Sequence, residues 1–254
     1  MVSLDKIRDI FLYDGKLIKL PSKGKAVFVG DTHGDFDATQ VVFDNYFKAG
    51  YIIILLGDYI DRGPESRENV EFLLNKKYES PEQVYLLSGN HEAYCSFQFQ
   101  PADFWESLSD HEMKYYSEVF KLLPYAAITS SGLLAVHGVP PDLTDLEHIK
   151  KIEICDEKWF QLTWGDLSEE SGELLSKPNE RPKYGFDYFK RVMKQLGMNV
   201  CVRSHQNGIN RIIYNKRCLT LMTSYAYLIE RTIAVIDLEK SFINSTDDIE
   251  VLEI

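Results

Sequence analysis

YIIILLGDYIDRG, residues 51–63, sets two carboxylates and an arginine directly after six residues that carry no charge. An uninterrupted apolar run of that length suits a strand covered on both faces. The same form, apolar strand then glycine then polar residue, recurs in AVFVGD (26–31) and VYLLSGN (84–90); LLAVHG (133–138) places its polar residue before the glycine. Helical patterns separate the first three. Val42, Phe43, Tyr46 and Phe47 share one helical face, and Pro64 is expected to open a second helix at the position where proline is tolerated. Strand–helix–strand alternation predicts right-handed βαβ units around a parallel core.

The second half reads differently. AAITSSGLLAVHG predicts a hairpin turning at Ser131-Gly132, and Phe186, Phe189, Val192, Met193 and Leu196 mark a helix ending at Gly197. NVCVRSH, IIYNKRCLTLMT with a turn at Asn215-Lys216, and TIAVIDL then suggest a second, largely antiparallel sheet. The expected fold class is α/β: two stacked mixed β-sheets, a β-sandwich, flanked by helices. A single domain is expected over residues 1–254, with a core at about 26–227.

Composition narrows the function. Acidic residues outnumber basic ones 39 to 28, a net charge of −11, which disfavours nonspecific nucleic-acid binding. No apolar stretch nears the ~18 residues of a membrane span, and MVSLDKIRDIFLYDGKL lacks the apolar centre of a signal peptide. A cytoplasmic protein without a membrane partner is expected. Cys95, Cys155, Cys201 and Cys218 form no CxxC and are expected to be free, mostly buried thiols.

In open α/β sheets, ligands bind beyond the carboxyl ends of the strands. There the chain places Asp31 and His33 (GDTHGD), Asp58 (GDYIDRG), Asn90 and His91 (GNHE), His137 (HG) and His205 (RSHQ). One aspartate after a strand is ordinarily a turn or cap residue. Five such blocks in series point to metal. Mixed Asp, His and Asn donors suit manganese, iron or zinc, and six positions exceed the three or four of one catalytic zinc. They fit two metals sharing a carboxylate at the ~3.5–4 Å separation of two-metal phosphoesterases.

The order GDTHG, GDYIDRG, GNHE, HG, RSHQ resembles the phosphoprotein phosphatase family of metal-dependent serine/threonine phosphatases, within the calcineurin-like metallophosphoesterase superfamily. The resemblance runs from about Ala26 to about Tyr227 and takes in PDLTDLEHIKKI and TWGD. It implies that Asp31, His33 and Asp58 hold one metal, and that Asp58 bridges to a second held also by Asn90, His137 and His205. It further implies in-line attack on a phosphomonoester by a metal-bridging water or hydroxide. His91 would be the general acid, oriented by Asp61, with Arg62 and Arg181 on the phosphoryl oxygens. Tyr227 aligns as a substrate contact, with Tyr225 its close rival; Glu92 follows His91 as in the family. His111 and His148 match no block and are expected on the surface. The implied cofactors are two divalent ions, manganese first, and the implied partners are phosphorylated proteins or peptides, with no regulatory subunit evident.

The chain departs from the family pattern at Ser88, where arginine is usual, at Val139, and at Gly165 and Leu167 around Asp166. None of these is an implied ligand. Two alternatives stay open at this point: a symmetrical diadenosine tetraphosphate hydrolase on the same fold, and a metal-binding scaffold without activity.

Overall fold

The computed structural model describes residues 2–226 and 230–254. Its strands are, in chain order, β1 (Leu17–Lys19), β2 (Lys25–Val29), β3 (Ile52–Leu55), β4 (Val84–Leu86), β5 (Ala126–Ile128) and β6 (Leu133–Val136). There follow β7 (Asp166–Leu167), β8 (Lys183–Tyr184), β9 (Val200–Arg203), β10 (Ile212–Ile213), β11 (Cys218–Thr220), β12 (Thr232–Asp237) and β13 (Glu250–Glu253). The helices are α1 (Leu4–Asp14), α2 (Phe36–Val42), α3 (Ser66–Glu79), α4 (Asp103–Glu106), α5 (Asp110–Phe120), α6 (Glu157–Trp164) and α7 (Phe186–Gln195). Among the described residues, none of these helices is long and apolar enough to cross a membrane.

Two mixed sheets stack. One has the order β13-β12-β2-β3-β4, with β2, β3 and β4 parallel as the repeated motif predicts; the other has the order β1-β5-β6-β9-β11-β10. Alternation along a strand explains the continuous apolar runs. In β2, Val27 and Val29 face a layer completed by Ile7 and Phe11 of α1, Leu73 of α3 and Tyr116 of α5. Its alternate residues, Ala26 and Phe28, meet Ala135, Val202 and Leu219 of the other sheet. The outer face of that second sheet, Leu134, Val136 and Cys201, is covered by Trp159 and Leu162 of α6 and by Phe189 and Val192 of α7. Strands β2, β6 and β9 therefore have no solvated face on which polar residues could alternate.

Four expectations are corrected. The second sheet is not largely antiparallel: β1–β5, β6–β9 and β9–β11 are parallel, and only β5–β6 and β10–β11 are antiparallel. TIAVIDL does not join it but runs antiparallel to β2 in the first sheet, in register Ala234 opposite Phe28. Pro64 lies two residues before α3, because the Gly34 carbonyl accepts the Glu65 N–H and holds the chain in a turn. Finally, Cys201 and Cys218 are buried but Cys95 and Cys155 are exposed, so only half of the free thiols are buried. The helix through Val42 and Phe47 does form, but Phe43–Phe47 is a wider π-helical turn that packs Phe43 on Phe72 at 5.1 Å. His111 and His148 are exposed, as expected.

Candidate metal centre

The parallel arrangement carries β2, β3 and β4 to a common edge, and β6 and β9 of the facing sheet end beside it. Strand ends converge there only because glycine lets the chains touch. A Cβ on Gly57, whose φ is +113°, would collide with the Gly89 nitrogen, and one on Gly89 would collide with the Asp58 carboxylate. Strain concentrates here. Among the described residues, ten non-glycine residues have positive φ, and five of them are His33, Asp58, Asp61, Arg62 and His205. Such conformations cost on the order of 1–3 kcal/mol each and persist where the surroundings over-determine them.

The surroundings do so through hydrogen bonds. His33 Nδ1 is 2.8 Å from the Ile60 carbonyl and His137 Nδ1 is 3.0 Å from the Leu56 carbonyl. In the tautomer where those nitrogens donate, each ring turns a lone pair on Nε2 into the centre. His33 Nε2 then lies 3.6 Å from Asp58 Oδ2 and 3.8 Å from Asp31 Oδ2, and His137 Nε2 lies 3.3 Å from the same Asp58 oxygen. Asn90 Oδ1 and His205 Nδ1 stand 3.2 and 2.9 Å from His137 Nε2. All six sequence-predicted ligands are thus brought together. Two trios, His33–Asp58–His91 and Asp58–His137–His205, each place ligand atoms within 4.8 Å of one another, and Asp58 belongs to both.

His91 sits at the edge of this set. Its Nδ1 is 2.6 Å from Asp61 Oδ2, and its Nε2 is 3.4 Å from the Arg62 guanidinium. The other Asp61 oxygen accepts the Phe104 N–H at 2.9 Å, and Trp105 Nε1 donates to the His91 carbonyl. Asp61 is therefore committed to His91 and α4, and it caps nothing on α3. A cavity of ≈ 190 Å³ opens over Asp58, Asn90 and His91, walled by Phe99, Trp164 and Arg181. Arg181 lies over the Trp164 ring, 3.2 Å from Asp166, with its guanidinium against His205. Tyr227 lies outside the described residues. Its rival Tyr225 is exposed, with the Arg231 guanidinium 3.8 Å from its ring centroid.

Burial dominates the electrostatics. It pushes the Asp31 carboxyl up to about 6, aided by the charge on Asp58 and opposed by His137. It pushes His33 down to about 3, aided by His91, so the ring is neutral and able to ligate. It also holds His205 well below the usual imidazole range, with Arg181 adding to the effect. Burial pushes Asp58 the other way, but His137 and His91 beside it keep it well below the usual carboxylate range. Asp31 Oδ2 is buried without a hydrogen-bond partner among the described residues. An orphaned anionic oxygen facing neutral imidazole lone pairs is the donor set of a divalent cation, so the residues present fit the expected metals.

Four further residues support the site, and of these the sequence reading named only Glu92, without a role. Buried Glu92 accepts the Asp58, Tyr59 and Gly89 N–H groups, at 2.9, 2.9 and 2.8 Å. Asn69 of α3 donates to Thr32 and to the Tyr59 carbonyl. Arg203, fully buried, donates to the Gly138 and Gly165 carbonyls and to Gln206. Ser204 donates to Asp31 Oδ1 at 2.5 Å. Glu92 adjoins His91, and Arg203 and Ser204 stand within the RSHQ block; no spacing in the chain marks Asn69.

Residues 24–207 match the family model described as calcineurin-like phosphoesterase. The chain belongs to that family. Among curated proteins, this calcineurin-like phosphoesterase is 28% identical over 237 residues to a protein of Encephalitozoon cuniculi named "probable serine/threonine-protein phosphatase" (88% of this chain, 52% of that one). It is 26% identical over 219 residues to serine/threonine-protein phosphatase T of Aspergillus oryzae (80% and 46%). The chain thus spans about half the length of these curated relatives. Among solved structures, a protein serine/threonine phosphatase from Saccharomyces cerevisiae superposes with a TM-score of 0.80 at 20% identity, covering 99% of this chain and 87% of that one. A cold-active protein-tyrosine phosphatase of a Shewanella species superposes with a TM-score of 0.57 at 14% identity (88% and 78%). These structural likenesses establish the fold, on which more than one substrate class is represented.

Proposed function

We propose that this calcineurin-like phosphoesterase is a metal-dependent protein phosphatase that hydrolyses phosphoserine and phosphothreonine. The observation that carries the reading is the His91–Asp61 pair at 2.6 Å, set beside the cluster of Asp31, His33, Asp58, Asn90, His137 and His205. The names of the two curated relatives support the choice of substrate. Asp31, His33 and Asp58 would hold one ion, and Asp58, Asn90, His137 and His205 the other. When bound, such ions supply Lewis acidity and lower the pKa of water toward neutrality.

The chain's own groups supply the rest. Arg62 and Arg181 both border the cavity, and the planar forks of arginine suit a phosphoryl group's oxygens. Serine and threonine leave as poor alkoxides, so the departing oxygen needs a proton. His91 can deliver it from Nε2 because Asp61 holds Nδ1. Burial disfavours its imidazolium, yet the charge of Asp58 and the bond to Asp61 raise its pKa above the ordinary value. Phe99, 4.6 Å from the His91 ring, limits water on that side. Manganese as the native metal fits the mixed oxygen and nitrogen donors, and a cytoplasmic setting fits the four free cysteines.

The test is turnover by chelator-stripped, manganese-repleted protein of a phosphothreonine peptide and a phosphotyrosine peptide, read as phosphate release, and of diadenosine tetraphosphate, read as ADP formation. Preferential turnover of phosphothreonine, abolished by chelation, is expected. Faster cleavage of the dinucleotide would overturn the substrate while keeping the metal chemistry, and bound metal without turnover of any of the three would leave a scaffold.

A further inference from the structure

A cavity of ≈ 540 Å³ lies apart from the metal centre. It lies between the C-terminal half of α7, the Met198–Asn199 segment that leads into β9, and the Tyr214–Arg217 turn joining β10 to β11. β9 runs from this cavity toward His205, so the two sites occupy opposite ends of one strand. The floor is apolar: Phe189, Met193 and Tyr214 are buried members of the layer under α7, and Phe186 and Met198 are half-buried at its margin. The rim is cationic. Lys190, Lys194 and Arg217 line it, and no acidic residue does.

The chain as a whole carries a net charge of −11. Several exposed cations elsewhere find carboxylates: Lys19 pairs with Glu147, Lys76 with Glu79, Arg211 with Glu230 and Lys216 with Asp247. On α7 itself, Arg191 is forked between Asp142 and Glu173. Lys190 and Lys194 have no ion pair among the described residues, and Arg217 donates only to the Asn244 carbonyl there. At i and i+4 the two lysines are neighbours on the helix, a like-charge arrangement that is unfavourable in the absence of an anion. A cation in the last helical turn complements the helix dipole, which accounts for Lys194. It accounts neither for Lys190, a turn earlier, nor for an open apolar floor beneath both.

We propose that this cavity docks an acidic linear segment of a partner protein, with an apolar side chain of the segment seated on Phe189, Met193, Met198 and Tyr214 and flanking carboxylates paired with Lys190, Lys194 and Arg217. Charge complementarity selects the acidic partner. The flexible thioethers of Met193 and Met198 suit a floor that adapts to different apolar anchors. The site is a surface of the body of the chain, and its occupancy does not depend on the phosphatase reading.

The test uses the full chain and a pool of fluorescein-labelled octapeptides whose central pair is randomised over apolar residues between glutamates. A lysine-flanked pool and a pool with serine at the centre serve as controls, and binding is read by anisotropy. The expected result is saturable binding of the acidic apolar pool alone, weakened at least about tenfold by Lys190→Glu with Lys194→Glu. Lys190→Ala with Lys194→Ala should give a smaller loss, and the circular dichroism melting curve should be unchanged in both variants, which reports that they fold. Absence of binding at millimolar peptide, equal binding by the charge-reversed variant, or equal binding of the lysine pool would overturn the proposal. A concentration-dependent dimer in sedimentation that the charge reversal dissolves would overturn it in favour of a second copy of this chain.

Discussion

At the scale of single residues, the site separates groups that face a substrate from groups that hold them. His91 belongs to the first kind, and the proton it supplies matters only when the leaving group is basic. His91→Asn is therefore expected to lower kcat on a phosphothreonine peptide by ~10²–10⁴-fold and to cost much less on p-nitrophenyl phosphate, whose phenolate leaves unaided. Equal losses on the two substrates would mean that the ring positions rather than protonates. Glu92 belongs to the second kind: two of its three accepted N–H groups share Oε2. Glu92→Gln turns one acceptor into a donor and leaves at least one buried N–H unpaired, so urea unfolding in chelator should show a loss of ~1–3 kcal/mol. A loss below about 0.5 kcal/mol would show that the loop satisfies those groups elsewhere. The contrast also explains what the sequence reveals. Asp31, His33, Asp58, Asn90, His137 and His205 stand at the ends of apolar runs, where the pattern exposes them. Glu92, Asn69 and Arg203 act through bonds to backbone groups that include distant segments, such as Asp58, Tyr59, Gly138 and Gly165, and the motifs do not record those partners.

At the scale of elements, periodicity revealed strands and helices but not their partners. The run TIAVIDL reads equally well in either sheet, because both of its faces are buried. Its place beside β2 follows from pairings over some two hundred residues of separation. Helix–helix contacts are similarly silent in the sequence. Lys77 of α3, fully buried, meets Asp14 at the end of α1 at 2.6 Å, donates to the Pro81 carbonyl and lies over the Tyr85 ring. Burial is the largest influence on both groups, pushing Asp14 up and Lys77 down, so each charge depends on the other. Asp14→Ala strands the ammonium and should cost ~3–5 kcal/mol by chemical denaturation, whereas Asp14→Leu with Lys77→Met should cost clearly less. The Arg191 fork gives a pH signature. Its hydrogen bonds, the leading cause in each case, hold Asp142 and Glu173 below their ordinary pKa values. Depressed carboxyls contribute stability above their unfolded pKa and lose it as pH falls through the folded one. Unfolding free energies of wild type and Arg191→Ala should therefore differ by ~0.2–1 kcal/mol per pair at neutral pH and converge in acid. A gap that persists in acid would assign the effect of Arg191 to packing.

At the scale of the whole molecule, both sheets end at one buried cluster of carboxylates and imidazoles, and that cluster should limit stability until it is neutralised. Asp31 and Asp58 repel one another, Asp31 Oδ2 has no partner among the described residues, and the strained turns that carry the ligands come from both sheets. Metal binding is therefore coupled to folding. A divalent ion at a hundredfold excess over its dissociation constant stabilises the folded state by ~2.7 kcal/mol per site. For a chain of this size each kcal/mol raises Tm by roughly 2–4 °C, so adding manganese to stripped protein should raise Tm by ~5–10 °C per occupied site. The two halves of the centre can be told apart by substitution. Asp31→Asn should bind one ion and keep about half of the rise. Asp58→Asn, which removes the only carboxylate common to both trios, should bind less than one ion and keep almost none. Stoichiometry by elemental analysis, read beside the melting curves, decides the matter: two tightly held ions in Asp58→Asn would mean that the sites are independent, and that the sheets meet at two separate centres rather than one.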